Sequence, residues 1–138
     1  MFDVGHRGGG ASIVLATSND QKHPPENMID GSEETFWTST GLYPQEFIMG
    51  FGHMMDIQRV NLSSYNIRHI QVEKCTSQDP TSFEPLVDRD LPQTDGQLQH
   101  EDIDIKTQAT YLRFIIDSGY DHFCAVHKLN ISGNALHG

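Results

Sequence analysis

Short runs of β-forming residues, separated by turn signals, are the feature that most constrains this fold. Several runs alternate apolar and polar residues, as at Ile57, Val60 and Leu62 and then at Ile70 and Val72. No window of about 11 residues carries the apolar stripe of an amphipathic helix. The predicted strands are residues 12–17, 46–51, 57–65, 67–75, 101–106, 110–117 and 125–133. This pattern predicts an all-β fold, either a two-layer β-sandwich or a barrel.

The length of 138 residues is that of one domain, and we predict a single domain over residues 1–138. Residues 1–10 end in three glycines and contain few apolar side chains, so they are expected to be mobile or to form an edge segment. Residues 76–82 and 91–97 are rich in Pro, Asp and Gly and are predicted to be loops.

The charge is strongly negative, because 19 Asp and Glu residues oppose 9 Lys and Arg residues, for a formal charge of −10. Binding to nucleic acid or to an anionic membrane surface depends on concentrated positive charge, which this sequence lacks. We therefore expect neither partner. A protein with a basic or apolar patch, or a cation, is the expected kind of partner.

The sequence contains two cysteines, Cys75 and Cys124. The sequence opens without a basic and then apolar leader, and no apolar run approaches the roughly 18 residues of a membrane helix. We expect an intracellular protein with two reduced thiols, although a disulfide between them stays open at this stage.

Signatures of catalysis are missing from the sequence. The eight histidines form neither of the paired-histidine motifs typical of zinc sites, and no Cys-x-x-Cys occurs. Likewise, no nucleophile elbow and no phosphate-binding glycine loop is present. The acidic run "HEDIDI" alternates with isoleucine, which is typical of a strand with one solvated face. We therefore predict that the protein is not an enzyme.

The stretch "ENMIDGSEETFWTST", residues 26–40, contains the only tryptophan. Pro25 could begin a single helical turn that Gly31 ends, and Asp30 could simply cap this turn through its side chain. Alternatively, the Asp30 carboxylate, the Thr35 hydroxyl and inward-facing carbonyls could form the shell of hard oxygens that calcium accepts. Trp37 is expected in the core, with its neighbour Phe36 facing the other way.

The order of motifs resembles that of the discoidin, or coagulation-factor type C, family. The resemblance is carried by "NMIDGSEETFW", "PQEFIMGFGHMMDIQRVNLSSY", "ATYLRFII" and a closing "AVHKLNISG", and it covers residues 12–133. It implies an all-β jelly-roll β-sandwich, galactose-binding-domain-like, with a bound calcium ion. Carried over to this sequence, the calcium ligands are the side chains of Asp30 and Thr35 and the backbone carbonyls of Asn27 and Ser32.

Related lectins add an acidic ligand from the last strand, which here reads "AVHKLN". Neither His127 nor Lys128 can replace it. The resemblance therefore implies a site with one negative ligand fewer, which would use carbonyls from residues 123–125 instead.

A narrower resemblance is to a family of β-sandwich subunits of intraflagellar transport complex B. It is carried by "LATSNDQKHPPENMIDGSEETFWTSTGLYPQEFI", "GQLQHEDI" and "ATYLRFIIDSGYDHFCAVH". It implies a non-catalytic subunit that forms a heterodimer with a Rab-like small GTPase, intraflagellar transport protein 27, alongside other complex B subunits. The implied role is ciliary or flagellar cargo transport, and the implied location is the cilium or flagellum and the cytoplasm near the basal body.

Apolar residues in turn-rich segments are candidates for a partner surface, namely Leu42, Tyr43, Met54 and Met55. The alternative function is a carbohydrate-binding module that uses the rim of the jelly roll. Fold alone supports neither function, because the same sandwich carries many activities.

Overall fold

The computed structural model describes residues 2–6 and 10–136 of the chain. Within these ranges the fold is built from antiparallel strands and one short 3-10 helix, Pro25–Ile29. The strands are β1 (Phe2–Asp3), β2 (Ser12–Ala16), β3 (Trp37–Thr38), β4 (Gln45–Tyr65), β5 (Ile67–Cys75), β6 (Glu84–Asp90), β7 (Gln99–Gly119) and β8 (Ala125–Ala135). The predicted all-β class is confirmed. No helix in the part of the chain described by the structure is long and apolar enough to cross a membrane.

Two long strands, β4 and β7, run through both layers of the sandwich. In the first layer, residues 45–50 of β4 pair with residues 111–116 of β7, and the strand order is β2-β4-β7-β5-β6. In the second layer, residues 55–64 of β4 pair with residues 99–109 of β7. There β8 lies on the other side of β4 and pairs in turn with β1 and β3.

The change of layer occurs where the pairing of β4 and β7 is irregular. Gly50 pairs with Tyr111, and the next paired residues are Met55 and Ala109. Strand β4 therefore contains more residues than β7 between these two pairs. Such an interruption bends a strand, and Gly52 adopts a φ of +80° at this point. The predicted strands 46–51 and 57–65 are therefore one bent strand, and so are 101–106 and 110–117.

The core lies between the layers and follows the period-two pattern of the strands. Phe47 of β4 and Phe114 of β7 are fully buried in the first layer, and their rings stack with centroids 4.9 Å apart. Val60, Leu62 and Ile131 are buried to 2% exposure or less in the second layer. Since alternate side chains of a strand face opposite sides, these spacings fix which face of each strand enters the core.

Two features differ from the sequence-based prediction. Strand β6 was not predicted, because "EPLVDRD" contains a proline and three acidic residues; it is tolerated at the sheet edge, where it pairs only with β5. Met55 was predicted as a spare apolar surface residue, and this is wrong. It is only 5% exposed, because β4 resumes pairing there with Ala109 on one side and Ala135 on the other, and its side chain joins the core.

The N-terminal segment contains strand β1 at an edge of the second layer. Phe2 and Asp3 pair with Gly133 and Ser132 of β8, and the Val4 N–H donates to the Ile131 carbonyl at 2.8 Å. Residues 1 and 7–9, which belong to the segment expected to be mobile, lie outside the described residues. Mobility of residues 1–10 stays a prediction.

His69 links three strands of the first layer on its outer face. Its Nδ1 lies 2.7 Å from Oδ1 of Asp90 on β6, and its Nε2 lies 3.7 Å from carboxylate oxygens of Asp88 and of Asp117. The hydrogen bond to Asp90 raises the pKa of His69 above its ordinary value, helped by the three negative charges and opposed by partial burial. The protonated imidazole therefore holds the edge strand β6 to β5 and β7.

We expect the stability contributed by His69 to be lost as the pH rises. The folded-state pKa lies above the unfolded value of 6.5, so the contribution is complete below pH 6.5 and disappears through the folded-state pKa. Between pH 6 and pH 8.5, the melting temperature of the wild type should fall relative to His69→Gln by about 1–4 °C, since exposed ion pairs are weak. His100→Gln, which removes an exposed histidine without a carboxylate partner, is the control; parallel pH profiles for His69→Gln and the wild type would contradict the prediction.

Candidate functional site

The loop between the 3-10 helix and β3 begins with a sharp, well-anchored turn. Pro25 occupies the first turn of the helix, and the buried side chains of Met28 and Ile29 hold the helix against the core. Asp30 ends the helix, and Gly31 reverses the chain with a φ of +83°, a conformation that favours glycine. The predicted single helical turn that ends at Gly31 is confirmed.

Three oxygen atoms from Asn27, Asp30 and Thr35 converge inside this loop. The Thr35 hydroxyl lies 2.5 Å from Oδ2 of Asp30, to which it donates a hydrogen bond. The same hydroxyl lies 3.5 Å from the backbone carbonyl of Asn27. The Asn27 side chain closes the loop by donating from Nδ2 to the Phe36 carbonyl at 3.1 Å. The structure thus brings together three of the four residues predicted to bind calcium.

Ser32, the fourth predicted residue, supports the Asp30 carboxylate from its other side. The Ser32 backbone N–H donates to Oδ1 of Asp30 at 2.9 Å, and its hydroxyl accepts a hydrogen bond from the Glu34 N–H at 3.1 Å. These contacts fix the direction of the carboxylate. The role of the Ser32 carbonyl as a ligand stays a prediction.

The donor chemistry of the three oxygens suits a hard cation such as calcium. The Asp30 carboxylate and the Asn27 carbonyl lie 2.5 Å and 3.5 Å from the Thr35 hydroxyl, and both distances are those of hydrogen bonds within the loop. The donors are a carboxylate, a hydroxyl and a carbonyl, which is the mixed oxygen chemistry that calcium accepts. A single carboxylate supplies the only formal charge among them.

Strand β8 contacts the loop through His127, which lies in the segment where the resemblance implies an acidic ligand. The His127 Nδ1–H donates to the Glu33 carbonyl at 2.8 Å. The carbonyl of Cys124, one of the residues expected to provide oxygens from this strand, instead accepts the Ser39 N–H at 3.0 Å. The last strand therefore holds the loop through an imidazole.

Three aromatic rings cover the outside of the loop. Phe36 stacks between His23, at 4.2 Å between centroids, and His127, at 4.7 Å. These rings come from the segment before the 3-10 helix, from the loop and from β8. The stack was not predicted, because its three residues are far apart in the chain and no local pattern links them.

Trp37 lies beneath the loop and is fully buried, as predicted. Its Nε1–H donates to the Ser18 carbonyl at 2.8 Å, and its ring meets Phe47 edge-on at 5.5 Å. Ser18 in turn binds Gln45 and the Thr40 N–H. The polar end of the tryptophan is thus part of a buried hydrogen-bond network that joins β3, β4 and the segment after β2.

Metal and redox chemistry elsewhere would need clustered ligands or accessible thiols. In residues 2–6 and 10–136, no group of three or more His, Cys, Asp or Glu side chains is arranged to hold a metal ion. Of the four predicted calcium ligands, only Asp30 has a side chain of these types, since the others would supply a hydroxyl or backbone carbonyls. Cys75 and Cys124 are both buried free thiols, and burial raises the pKa of Cys124.

The comparisons with known proteins agree with this architecture. The sequence matches the F5/8 type C domain over residues 14–129. The fold is also that of a Clostridium perfringens domain solved in complex with GalNAc-β-1,3-galactose, with a TM-score of 0.76 over 89% of this chain and 95% of that one. At 20% identity, this likeness concerns the fold alone, and it confirms the predicted jelly roll. The chain is an F5/8 type C domain.

Curated relatives narrow the family further. The chain is 49% identical to the human intraflagellar transport protein 25 homolog over 128 residues, which cover 92% of this chain and 89% of the human protein. It is 34% identical to intraflagellar transport protein 25 of Chlamydomonas reinhardtii over 133 residues, covering 96% of this chain and 70% of the algal protein. The chain therefore belongs to the intraflagellar transport protein 25 family.

Replacing Trp37, the buried ring, should destabilise the protein far more than replacing its neighbour Phe36. Trp37→Phe leaves the Ser18 carbonyl without its donor and opens a cavity, so we expect a loss of about 2–4 kcal/mol in the free energy of unfolding. Phe36→Leu affects a surface stack and should cost about 1 kcal/mol or less. Urea unfolding followed by circular dichroism measures both, and equal costs would contradict the assigned burial.

Proposed function

We propose that this chain is a non-catalytic subunit of intraflagellar transport complex B that forms a heterodimer with a Rab-like small GTPase, intraflagellar transport protein 27. The observation that carries the proposal is the identity of 49–50% with two proteins named as intraflagellar transport protein 25 homologs, over nearly their whole length. The shared length matters, because this one domain accounts for 89% and 87% of those proteins. In this role the protein works in the cilium or flagellum and in the cytoplasm near the basal body.

The acidic, rigid sandwich suits a binding role. Its formal charge of −10 favours a partner with basic patches. Because its strands pack on a buried core, the surface is already formed before a partner binds. Large apolar side chains remain on that surface, including Leu42, which is 89% exposed, and Val14, which is 48% exposed. Such groups are the usual anchors of protein interfaces once a partner covers them.

Co-expression with intraflagellar transport protein 27 should give a single complex. We expect one peak of 1:1 composition in size-exclusion chromatography at micromolar concentration and physiological salt. An unrelated small GTPase expressed in the same way serves as the control and should elute separately. Two separate peaks for the chain and intraflagellar transport protein 27 would refute the heterodimer.

We further propose that the loop formed by Asn27, Asp30, Ser32 and Thr35 binds a structural calcium ion. The support is the approach of the Asn27 carbonyl and the Asp30 carboxylate to the Thr35 hydroxyl, within 3.5 Å, and the mixed oxygen chemistry that calcium accepts. Because the proposed ligands carry one formal charge, we expect the ion to be structural and to stabilise the end of the sandwich that contains the loop. Asp30 Oδ2 and the Thr35 oxygen would face the ion, while the hydrogen bond from Ser32 holds the carboxylate in place.

Calcium at about 100 times its dissociation constant should raise the melting temperature of the wild type. Binding to the native state alone gives about 2.7 kcal/mol under these conditions, which corresponds to a rise on the order of 5–10 °C. Asp30→Asn keeps the acceptor for the Ser32 N–H but removes the charge, so it should lose most of the response. Thr35→Val should weaken the response as well.

Asp20→Asn is the matched control for the calcium experiment. Asp20 accepts a hydrogen bond from the backbone N–H two residues later, at 3.0 Å, just as Asp30 does at 2.9 Å, but it has no converging oxygens. It should keep the full response. If a chelator leaves the melting of the wild type unchanged and elemental analysis finds no calcium, the proposed ion is absent.

Carbohydrate binding at the rim of the jelly roll is the alternative function that this fold suggests. The relationship to sugar-bound domains is at 20% identity or below and concerns the fold alone. A glycan array tests it directly, and a specific hit that depends on calcium would favour the alternative over the transport role.

A further inference from the structure

A groove lies at the end of the sandwich where β7 leads into β8. Leu42 and Tyr43 form one wall, and residues 117–122 form the other. Its volume is about 420 Å³, within the range of protein ligand sites. Leu42 is 89% exposed, and Phe123, directly after the second wall, is 44% exposed. Apolar side chains therefore stand uncovered at the edge of the groove.

The aromatic walls are held in place by hydrogen bonds to the backbone. The Tyr43 hydroxyl donates to the Asp121 carbonyl at 3.1 Å, and the Tyr120 hydroxyl donates to the Leu91 carbonyl at 2.6 Å. The Leu42 carbonyl accepts a hydrogen bond from Gln45 Nε2 at 2.7 Å. A ligand would thus meet preformed walls, which lowers the entropy cost of binding.

The charge of the groove is negative. Asp117 and Asp121 are among its lining residues, as is one imidazole, that of His122, while no Lys or Arg lines it.

The acidic groups continue beyond the groove onto β6. On the β5 side, Asp117 accepts a hydrogen bond from Gln71 Nε2 at 2.7 Å, and it lies 3.7 Å from Nε2 of His69, an imidazole shared with Asp88 and Asp90. The side chains of Asp88 and Asp90 are 70% and 82% exposed. The acidic surface therefore extends from the groove across the outer edge of β6.

The formal charges of the groove favour a cationic ligand. Asp117 and Asp121 are its two carboxylates, and both tyrosine hydroxyls already donate to backbone carbonyls. Ser118 and His122 add groups that can donate as well as accept, so hydrogen bonding alone does not select the ligand. A guanidinium or ammonium group matches the carboxylates in both charge and donor chemistry, whereas a neutral sugar matches them in hydrogen bonding only.

We propose that this groove docks an extended, basic segment of a protein partner. Arg or Lys side chains of that segment would pair with Asp117 and Asp121, and an aliphatic side chain would pack against Leu42 and the two tyrosine rings. The combination of an apolar contact with charge pairs at its edge is the usual anatomy of a peptide-binding surface. The proposal stands on the groove itself and does not rest on calcium or on the GTPase.

The test uses a synthetic peptide of about ten residues in which arginine and leucine alternate. The peptide is titrated into the isotopically labelled full chain at physiological salt, and amide chemical shifts are followed by NMR. We expect saturable shifts concentrated at residues 42–43 and 117–123. Two comparison peptides, one with glutamate in place of arginine and one with serine in place of leucine, should bind at least about fivefold more weakly.

Protein variants distinguish binding in the groove from the general attraction of a basic peptide to an acidic protein. Asp121→Asn combined with Asp117→Asn, and separately Leu42→Ala, should each weaken binding by about fivefold or more. Asp121→Asn alone is a second, milder variant, because it removes one charge and keeps an acceptor for the backbone N–H of His122, which donates to Asp121 Oδ1 at 2.7 Å. Asp79→Asn removes an exposed carboxylate from the loop beyond the far end of β5, and Leu15→Ala removes an exposed leucine from β2. Both controls should bind as the wild type does.

Three results would overturn the proposal. The first is an absence of shifts at millimolar peptide. The second is a set of shifts spread over the acidic surface, with equal weakening by Asp79→Asn, which would mean charge attraction without a site. The third is shifts in the groove on addition of galactose but not of the peptide, which would make the groove a sugar site.

Discussion

The pairing of β4 with β7 is the interaction on which the rest of the structure depends. Both strands are internal in the first layer, and in the second β4 lies between β7 and β8, so every other strand attaches directly or through one neighbour to one of them. Their shared bend between Gly50 and Met55 sets how the layers face each other and hence which side chains meet in the core. Because most of the pairings join residues far apart in sequence, folding must close long loops before this ladder forms.

The loop site and the groove are both consequences of that ladder, but they use it differently. The loop is fastened from below by Trp37 and from β8 by His127, so its oxygens converge on a rigid support. The groove is formed where β7 ends at Gly119, and its walls are fixed by tyrosine hydroxyls. A bound ion would stabilise the loop, whereas the groove is an open surface that a partner can contact.

The sequence predicted those parts of the protein that local chemistry determines. Period-two alternation identified most strands, and the Pro25 to Gly31 pattern identified the 3-10 turn and the position of Asp30. Strand β6 escaped prediction because its pairing with β5, and not its own residues, makes it a strand. The burial of Met55 depends on the bend of β4, and the His23–Phe36–His127 stack and the groove depend on long-range contacts that no local pattern encodes.

The position of the single tryptophan gives the protein a built-in optical reporter. Trp37 is the only indole in the chain, and it is fully buried directly beneath the loop, in contact with Phe47 and bonded to the Ser18 carbonyl. Its fluorescence therefore reports the polarity and rigidity of one end of the sandwich. A disturbance of the loop can therefore be followed in unlabelled protein, because no second indole contributes to the signal.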